Sequence, residues 1–255
     1  MKSPIIVPVD QLIQQPYASI LCFPKPSEPE LQSRTEELRG HGVSALEFSG
    51  KASVYGVQLP VLGKGFVGVV VIAYLNGQRV ALKIRRTDAD RANLLHEAQM
   101  LSKANSADVA PKLFGGSKNF LLMQLIDGDL LPDWLEINKD ATAVKQVLGE
   151  VLEQCFRLDE AGLDHGELNK APKHVIIDRA LKPWIVDFET SSDGRKPANV
   201  SAICSYLFSS QGEVARTISE TLGSRDDAGI IKALHNYKKK RIRENFKKVL
   251  SVCLS

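Results

Sequence analysis

The residues Gly63-Lys64-Gly65-Phe66-Val67-Gly68-Val69-Val70 place three glycines at G-x-G-x-x-G spacing, with a valine two residues on. Glycines so spaced let a backbone bend closely around phosphate groups. Lys83 follows 13 residues after Val70, within Ala81-Leu82-Lys83, and Glu97 lies further on in His96-Glu97-Ala98. Two acids stand later, Glu167 in Asp164-His165-Gly166-Glu167-Leu168 and Asp187 in Val186-Asp187-Phe188-Glu189. Glycine loop, lysine and separated carboxylates are the residue types that phosphate and metal chemistry draws on. Each alone also reads as an ordinary turn, strand or surface residue, and a dinucleotide-binding fingerprint shares the glycine spacing.

The surrounding elements decide between these readings. A dinucleotide fingerprint needs its glycines to open a helix. Here they open a strand, Val67 to Leu75, and Asn76-Gly77 is a strong two-residue hairpin signal. The return strand, Gln78 to Ile84, sets Val80, Leu82 and Ile84 on one face and Ala81 and Lys83 on the other. A helix is expected from about Asp88 to Lys103, with Leu94, Leu95, Ala98 and Leu101 as its apolar stripe, and a strand from Phe120 to Ile126. Upstream, Ser19 to Phe23 reads as a short strand. Ser27 and Glu30 have capping-box spacing before a helix from Glu28 to Arg39. Val43 to Phe48 and Val54 to Leu62 read as strands. From Pro132 the pattern turns helical. Val144, Val147, Leu148, Val151, Leu152, Cys155 and Leu158 line one long helix that stops at Gly162. Short strands His174–Ile177 and Trp184–Phe188 follow, then a helix capped by Asn199 and a last helix from Ile230 to Leu250.

In this order and on these elements, the residues resemble the protein-kinase superfamily. His165-Gly166-Glu167-Leu168, without an arginine, is similar to the atypical RIO-like and small-molecule kinase branches. It also resembles an archaeal-type group of predicted serine/threonine protein kinases, through the Leu-Gly-Lys-Gly loop, the Lys-His-Val strand and Asp-Phe-Glu. The resemblance covers about residues 58–210. It implies an α+β, bilobal kinase-like fold with a β-rich N-lobe containing one helix and a mainly helical C-lobe. The expected boundaries are a lead-in, 1–57, packed on the N-lobe, an N-lobe, 58–127, and a C-lobe, 128–255, with a basic terminal helix. It further implies ATP and Mg²⁺ as cofactors. Lys83 would neutralise the α- and β-phosphates, and Glu97 would hold Lys83 extended. Asp187 would bind the metal, and Glu167 would orient or deprotonate the attacking hydroxyl. Gly63, Gly65 and Gly68 would cover the phosphates. Leu62, Val70, Ala81, Met123 and Ile176 would wall the adenine slot, with backbone groups from Gln124 to Ile126 reading the base edge.

The departures from the family pattern are as informative. Glu167 stands where kinases usually place an aspartate, and Pro172 where they hold a metal-binding asparagine. His174 and Asn169 are the candidates to replace that asparagine. Mg²⁺ prefers oxygen, which favours Asn169, with His174 structural or facing phosphate. Glu189 replaces the last glycine of Asp-Phe-Gly, and few residues separate it from Asn199, so a long activation segment has no room.

Composition narrows the rest. The chain has 255 residues, is 44% hydrophobic and carries 25% charged residues, values of an ordinary globular protein rather than a disordered one. Cys22, Cys155, Cys204 and Cys253 are too dispersed for a disulfide framework or a metal site, which points to reduced thiols and a cytoplasmic setting. No run approaches the roughly 20 apolar residues of a membrane span, and the first residues lack a signal-peptide pattern. The net charge of +3 hides an asymmetry. Residues 232–248 hold eight basic side chains against Glu244 alone, so the remainder is acidic. That segment is either a solvated helix face or a contact to nucleic acid or an acidic partner. The competing functions are therefore a phosphotransferase or ATPase, a catalytically weak nucleotide-binding switch, and a nucleic-acid-associated factor using the basic tail.

Overall fold

The computed structural model describes residues 3–170, 172–209 and 212–255. The chain divides into two compact units, Met1–Gln99 with Lys112–Leu125, and Met100–Pro111 with Ile126–Ser255.

The first unit is built on an antiparallel sheet. Its elements are β1 (Ile5–Pro8), α1 (Ala18–Leu21), α2 (Glu28–Gly40), β2 (Val43–Phe48), β3 (Ala52–Val54), β4 (Val57–Val61), β5 (Gly63–Lys64), β6 (Gly68–Leu75) and β7 (Gln78–Arg85). Then come α3 (Leu95–Ser106), which begins in this unit, β8 (Leu113–Gly116) and β9 (Phe120–Gln124). The strand order is β1-β2-β6-β7-β9-β8, with β5 also paired to β6, while β3 and β4 form a separate hairpin. Both residues of the Asn76–Gly77 turn have positive φ, 50° and 78°, as a two-residue hairpin demands. β-strand alternation then sorts the side chains. Val69, Val71, Ala73, Val80, Leu82, Ile84, Phe120 and Leu122 join one core with Ile20, Leu21, Leu31, Leu38 and Phe48 from the N-terminal segment. The register sets Val70 opposite Lys83 and Ile72 opposite Ala81, and β9 places Leu121 and Met123 beside them. These six residues therefore share the other face.

Four expectations change in this unit. Val54 to Leu62 is not one strand, because a turn at Tyr55–Gly56 separates β3 from β4. Ser19 to Phe23 is not a strand, since Ala18–Leu21 is helical and Cys22 N–H closes the turn on the Ala18 carbonyl at 3.0 Å. A short, mostly buried apolar run fits either element, and periodicity cannot choose. Ser27 does sit at the N-cap of α2, but its side chain makes no capping bond, and Glu30 pairs instead with Arg34 at 2.7 Å. Helix α3 starts at Leu95 rather than near Asp88. The Asn93 side chain accepts the Leu95 N–H at 3.0 Å, while Arg86 grips Asp88 in the preceding loop.

The second unit holds β10 (Gly128–Leu130), α4 (Leu131–Ile137), α5 (Ala141–Glu160), β11 (Val175–Asp178), β12 (Pro183–Ile185), α6 (Asn199–Cys204), α7 (Glu213–Leu222), α8 (Asp227–Lys239) and α9 (Arg243–Leu254). Asp140 caps α5 by accepting the Thr142 N–H at 2.9 Å, and the apolar stripe read from the sequence is buried along it. The strands form a small antiparallel sheet, β10-β11-β12. The last helix is in fact two. Lys240 and Ile242 take extended backbone angles, which lets α9 fold back and stack Phe246 on Phe156 at 4.5 Å between ring centroids. Asn199 is the first residue of α6 rather than its cap, and its side chain is used elsewhere. All four cysteines are free and buried. Among the described residues no helix is long and apolar enough to cross a membrane.

Candidate active site

In the first unit, Lys83 and Glu97 meet. Lys83 Nζ lies 2.9 Å from a Glu97 carboxylate oxygen, and both side chains are almost wholly buried. Two glycines make this arrangement fit. A Cβ on Gly68 would lie 2.9 Å from Lys83 Cγ and from the Ile84 carbonyl oxygen, so the lysine stem occupies the room that a side chain would take. A Cβ on Gly116 of β8 would lie 2.5 Å from the Ala98 Cβ, which is how the first turn of α3, with Glu97, sits down on the sheet.

The glycine loop is anchored at its base and open at its tip. Gly65 N–H donates to the Gly68 carbonyl at 2.8 Å, and Arg86 N–H to Val67 at 2.8 Å. Arg86 also donates a side-chain N–H to the Gly65 carbonyl at 3.2 Å. Lys64 lies over the Phe23 ring at 4.8 Å. Phe66 at the tip is 92% exposed. A Cβ on Gly63 would meet nothing within 4 Å, leaving the backbone there open to a ligand.

The remaining base-binding candidates divide between the units. Val70, Ala81 and Met123 share the Lys83 face of the sheet, and Leu62 is exposed while its N–H donates to Val70 at 2.9 Å. Gln124 N–H already donates to the Lys112 carbonyl at 2.8 Å, so its donor is committed. Ile126 and Ile176 belong to the second unit. Ile176 is half-buried on β11, between Leu130 and Trp184.

In the second unit, the loop 164–168 brings Glu167 and Asp187 to either side of one histidine. His174 Nε2 lies 3.5 Å from Glu167 and 3.9 Å from Asp187. Both carboxylates are more than a third exposed, while His174 is buried. Asn169 is exposed on the single turn Leu168–Lys170, and His174 is set against both acids. Asp187 has a φ of 68°, a strained value for a residue other than glycine, though aspartate tolerates it better than most. Carboxylate oxygens that remain accessible to solvent fit the oxygen preference of Mg²⁺.

A buried hydrogen-bond network holds this loop from behind, and sequence reasoning missed most of it. His165 is fully buried, and burial pushes its imidazole down to about 4 despite the raising effect of the Val186 carbonyl. The neutral ring donates from Nε2 to that carbonyl at 3.0 Å, which fixes the residue before Asp187. His165 N–H donates to Asn199 Oδ1 at 2.8 Å. Asn199 Nδ2 donates to Asp159 and to the Leu163 carbonyl, and Tyr237 O–H donates to Asp159 at 2.8 Å. From the other side, Thr190 and Ser191 hydroxyls donate to the His165 carbonyl. Arg195 binds Asp164 at 3.0 Å and the Thr190 carbonyl at 2.7 Å. The residues after Asp-Phe-Glu thus clamp the catalytic-type loop. The one sequence signal for this network was the polar Asn199 opening a mainly apolar helix.

The RIO domain family model matches residues 71–202, just over half of the chain, beginning after the glycine loop. Among curated proteins none matches. The α+β organisation, β-rich first and helical afterwards, is that of a kinase-like fold. The chain belongs to the RIO domain family, an atypical protein kinase family.

Proposed function

We propose that this protein is an ATP- and Mg²⁺-dependent phosphotransferase of atypical serine/threonine kinase type, with autophosphorylation or ATP hydrolysis as variants of the same chemistry. The observation that carries the reading is the buried Lys83–Glu97 pair. Taking two charges out of water is costly and often adds no net stability. A buried, ordered ammonium placed beside a glycine loop is instead suited to meeting phosphate oxygens. Glu97 fixes the direction of that ammonium. Asp187 offers carboxylate oxygen to Mg²⁺, which when bound would neutralise phosphate charge. Glu167 accepts the proton of the attacking hydroxyl as the new P–O bond forms and the bond to the leaving diphosphate breaks.

The test is incubation of the full chain with labelled Mg-ATP, beside Lys83→Met and Asp187→Asn. Turnover well above both variants is expected. Binding at 100 times Kd should add about 2.7 kcal/mol to stability. Binding with no turnover above the variants would leave only a nucleotide-operated switch. The absence of any thermal shift would remove the nucleotide reading altogether.

A second reading concerns the basic segment. Lys232, Lys238, Lys239, Lys240, Lys247 and Lys248 are all exposed, and among the described residues none joins an ion pair. They suit a nucleic acid or an acidic protein. Deleting the segment is a poor test, because Tyr237 and Phe246 are buried in the second unit. Reversing Lys238, Lys239, Lys247 and Lys248 to Glu keeps those anchors. That variant should lose salt-sensitive binding to RNA or DNA, and equal binding by both proteins would sink the idea.

A further inference from the structure

We propose that Arg34 and Asn119 are positioning residues for nucleotide binding, and that helix α2, outside the matched family span, is thereby a working part of the site. The proposal rests on the reading of Lys83 and Glu97 as the phosphate-binding pair.

Arg34 is fully buried on α2. Its Nη1 donates to the Arg85 carbonyl at 2.6 Å and to the Leu21 carbonyl at 2.8 Å. Nε binds Glu30 at 2.7 Å, and Nη2 donates to Asn119 Oδ1 at 3.2 Å. Arg85 is the last residue of β7, two beyond Lys83, and it pairs across the sheet with Gly68, the glycine that makes room for the lysine stem. The Arg85 guanidinium donates to the same Asn119 oxygen, from Nε at 3.1 Å and Nη2 at 3.0 Å, and Arg85 N–H donates to the Asn119 carbonyl at 2.8 Å. Asn119 in turn donates its N–H and Nδ2 to the two oxygens of Glu37, at 2.9 and 2.7 Å. Glu37 lies one turn along α2 from Arg34. The neighbouring Lys118 carbonyl accepts the N–H of Leu94, which leads into α3 three residues before Glu97, at 3.2 Å.

One helix thus holds, through one asparagine, the strand end that carries Lys83 and the loop that starts the helix carrying Glu97. Two adjacent guanidinium groups are an expensive way to attach a helix, since apolar packing would do that without desolvating charge. What guanidinium forks add is direction, because each N–H fixes the place of a particular carbonyl. Arg34 and Glu37 fall outside the matched residues 71–202, while Arg85 and Asn119 fall within them.

The experiment compares the full-length protein with Arg34→Met, Arg34→Lys, Glu37→Gln and Lys83→Met. ATP affinity, kcat and KM are measured well below each protein's Tm, where every folded variant is native. Arg34→Met should lose kcat/KM on the order of tenfold or more, as misplacement of reacting groups does. Its ATP affinity should fall with it, and Arg34→Lys should recover part of the loss. Glu37→Gln, at a half-buried site, should lose severalfold while Tm falls by only a few degrees. If Arg34→Met does not fold, Glu37→Gln decides. Variants that lower Tm yet bind and turn over ATP like the parent would overturn the proposal and leave α2 as scaffold. If the parent and Lys83→Met behave alike toward ATP, the nucleotide reading itself has failed, and this inference falls with it.

Discussion

The two halves of the candidate machinery are built in opposite ways. Lys83 and Glu97 are buried, touch at 2.9 Å and sit on the regular elements β7 and α3. Glu167 and Asp187 are partly exposed, sit on irregular backbone and lie no closer than 3.5 Å to the histidine between them. The first pair is assembled in advance. The second presents accessible oxygens whose positions are set from behind, by the His165–Asn199–Asp159 network. The contrast follows from the tasks proposed for each. A phosphate-binding ammonium gains from being held without reorganisation, whereas metal-binding oxygens must stay reachable by a hydrated ion.

Breaking each half should therefore give different signatures. Asp187→Asn should abolish most turnover, on the order of 10²–10³-fold, with little change in Tm because the side chain is partly solvated. Lys83→Met should lose comparable activity and in addition about 3 kcal/mol of stability, since Glu97 then loses its cationic partner in a buried place. Turnover assays read beside thermal melts check both. Equal Tm values for the two variants would erase the distinction. Asn199→Ala comes next. It removes the acceptor for His165 N–H and the Nδ2 donor to Asp159 and the Leu163 carbonyl, and should cost about 2–3 kcal/mol through buried polar groups left without partners. Measured by denaturant midpoint, it should also lower kcat, because the loop carrying Glu167 loses its rear support. Gly116→Ala is smaller, about 1–3 kcal/mol from overpacking against Ala98. It should weaken ATP binding through Glu97, which titration of the variant would show.

How much of this was readable beforehand depended on whether a feature was local. The β6–β7 hairpin followed from Asn76-Gly77 and β-branched alternation, and α5 from an unbroken 3.6-residue stripe. Lys83 and Glu97 could be named because strand face and helix position suffice to describe them. The Ser19–Phe23 run was misread because its four buried apolar residues, Ile20 to Phe23, carry no period. The division of the last helix at Lys240–Ile242 was missed because its cause lies elsewhere in the chain, in the stacking of Phe246 on Phe156. His174 was weighed by its ligand chemistry, and no spacing rule could set it between Glu167 and Asp187. Arg34 was invisible for the same reason. An arginine in an ordinary amphipathic helix reads as surface until Asn119, 85 residues away, is seen to accept from it.

The smallest expected effect tests whether the α2 network belongs with the preassembled half. Burial alone would raise the Glu37 carboxyl, but hydrogen bonds from Ser117 and Asn119 and the nearby Arg34 charge outweigh it and hold its pKa below the ordinary value. A carboxylate so depressed contributes stability that is complete above its unfolded pKa of about 4.5 and is lost as pH falls through the lower folded value. Other carboxylates share that acid limb, so the informative quantity is a difference. Glu37→Gln should be less stable than the parent at neutral pH by about 1 kcal/mol, with the gap narrowing as pH falls below about 4.5. Chemical denaturation at several pH values measures it. A gap that stays constant through this range would mean that Glu37 acts through shape alone, and that the charge on α2 contributes nothing to holding Asn119.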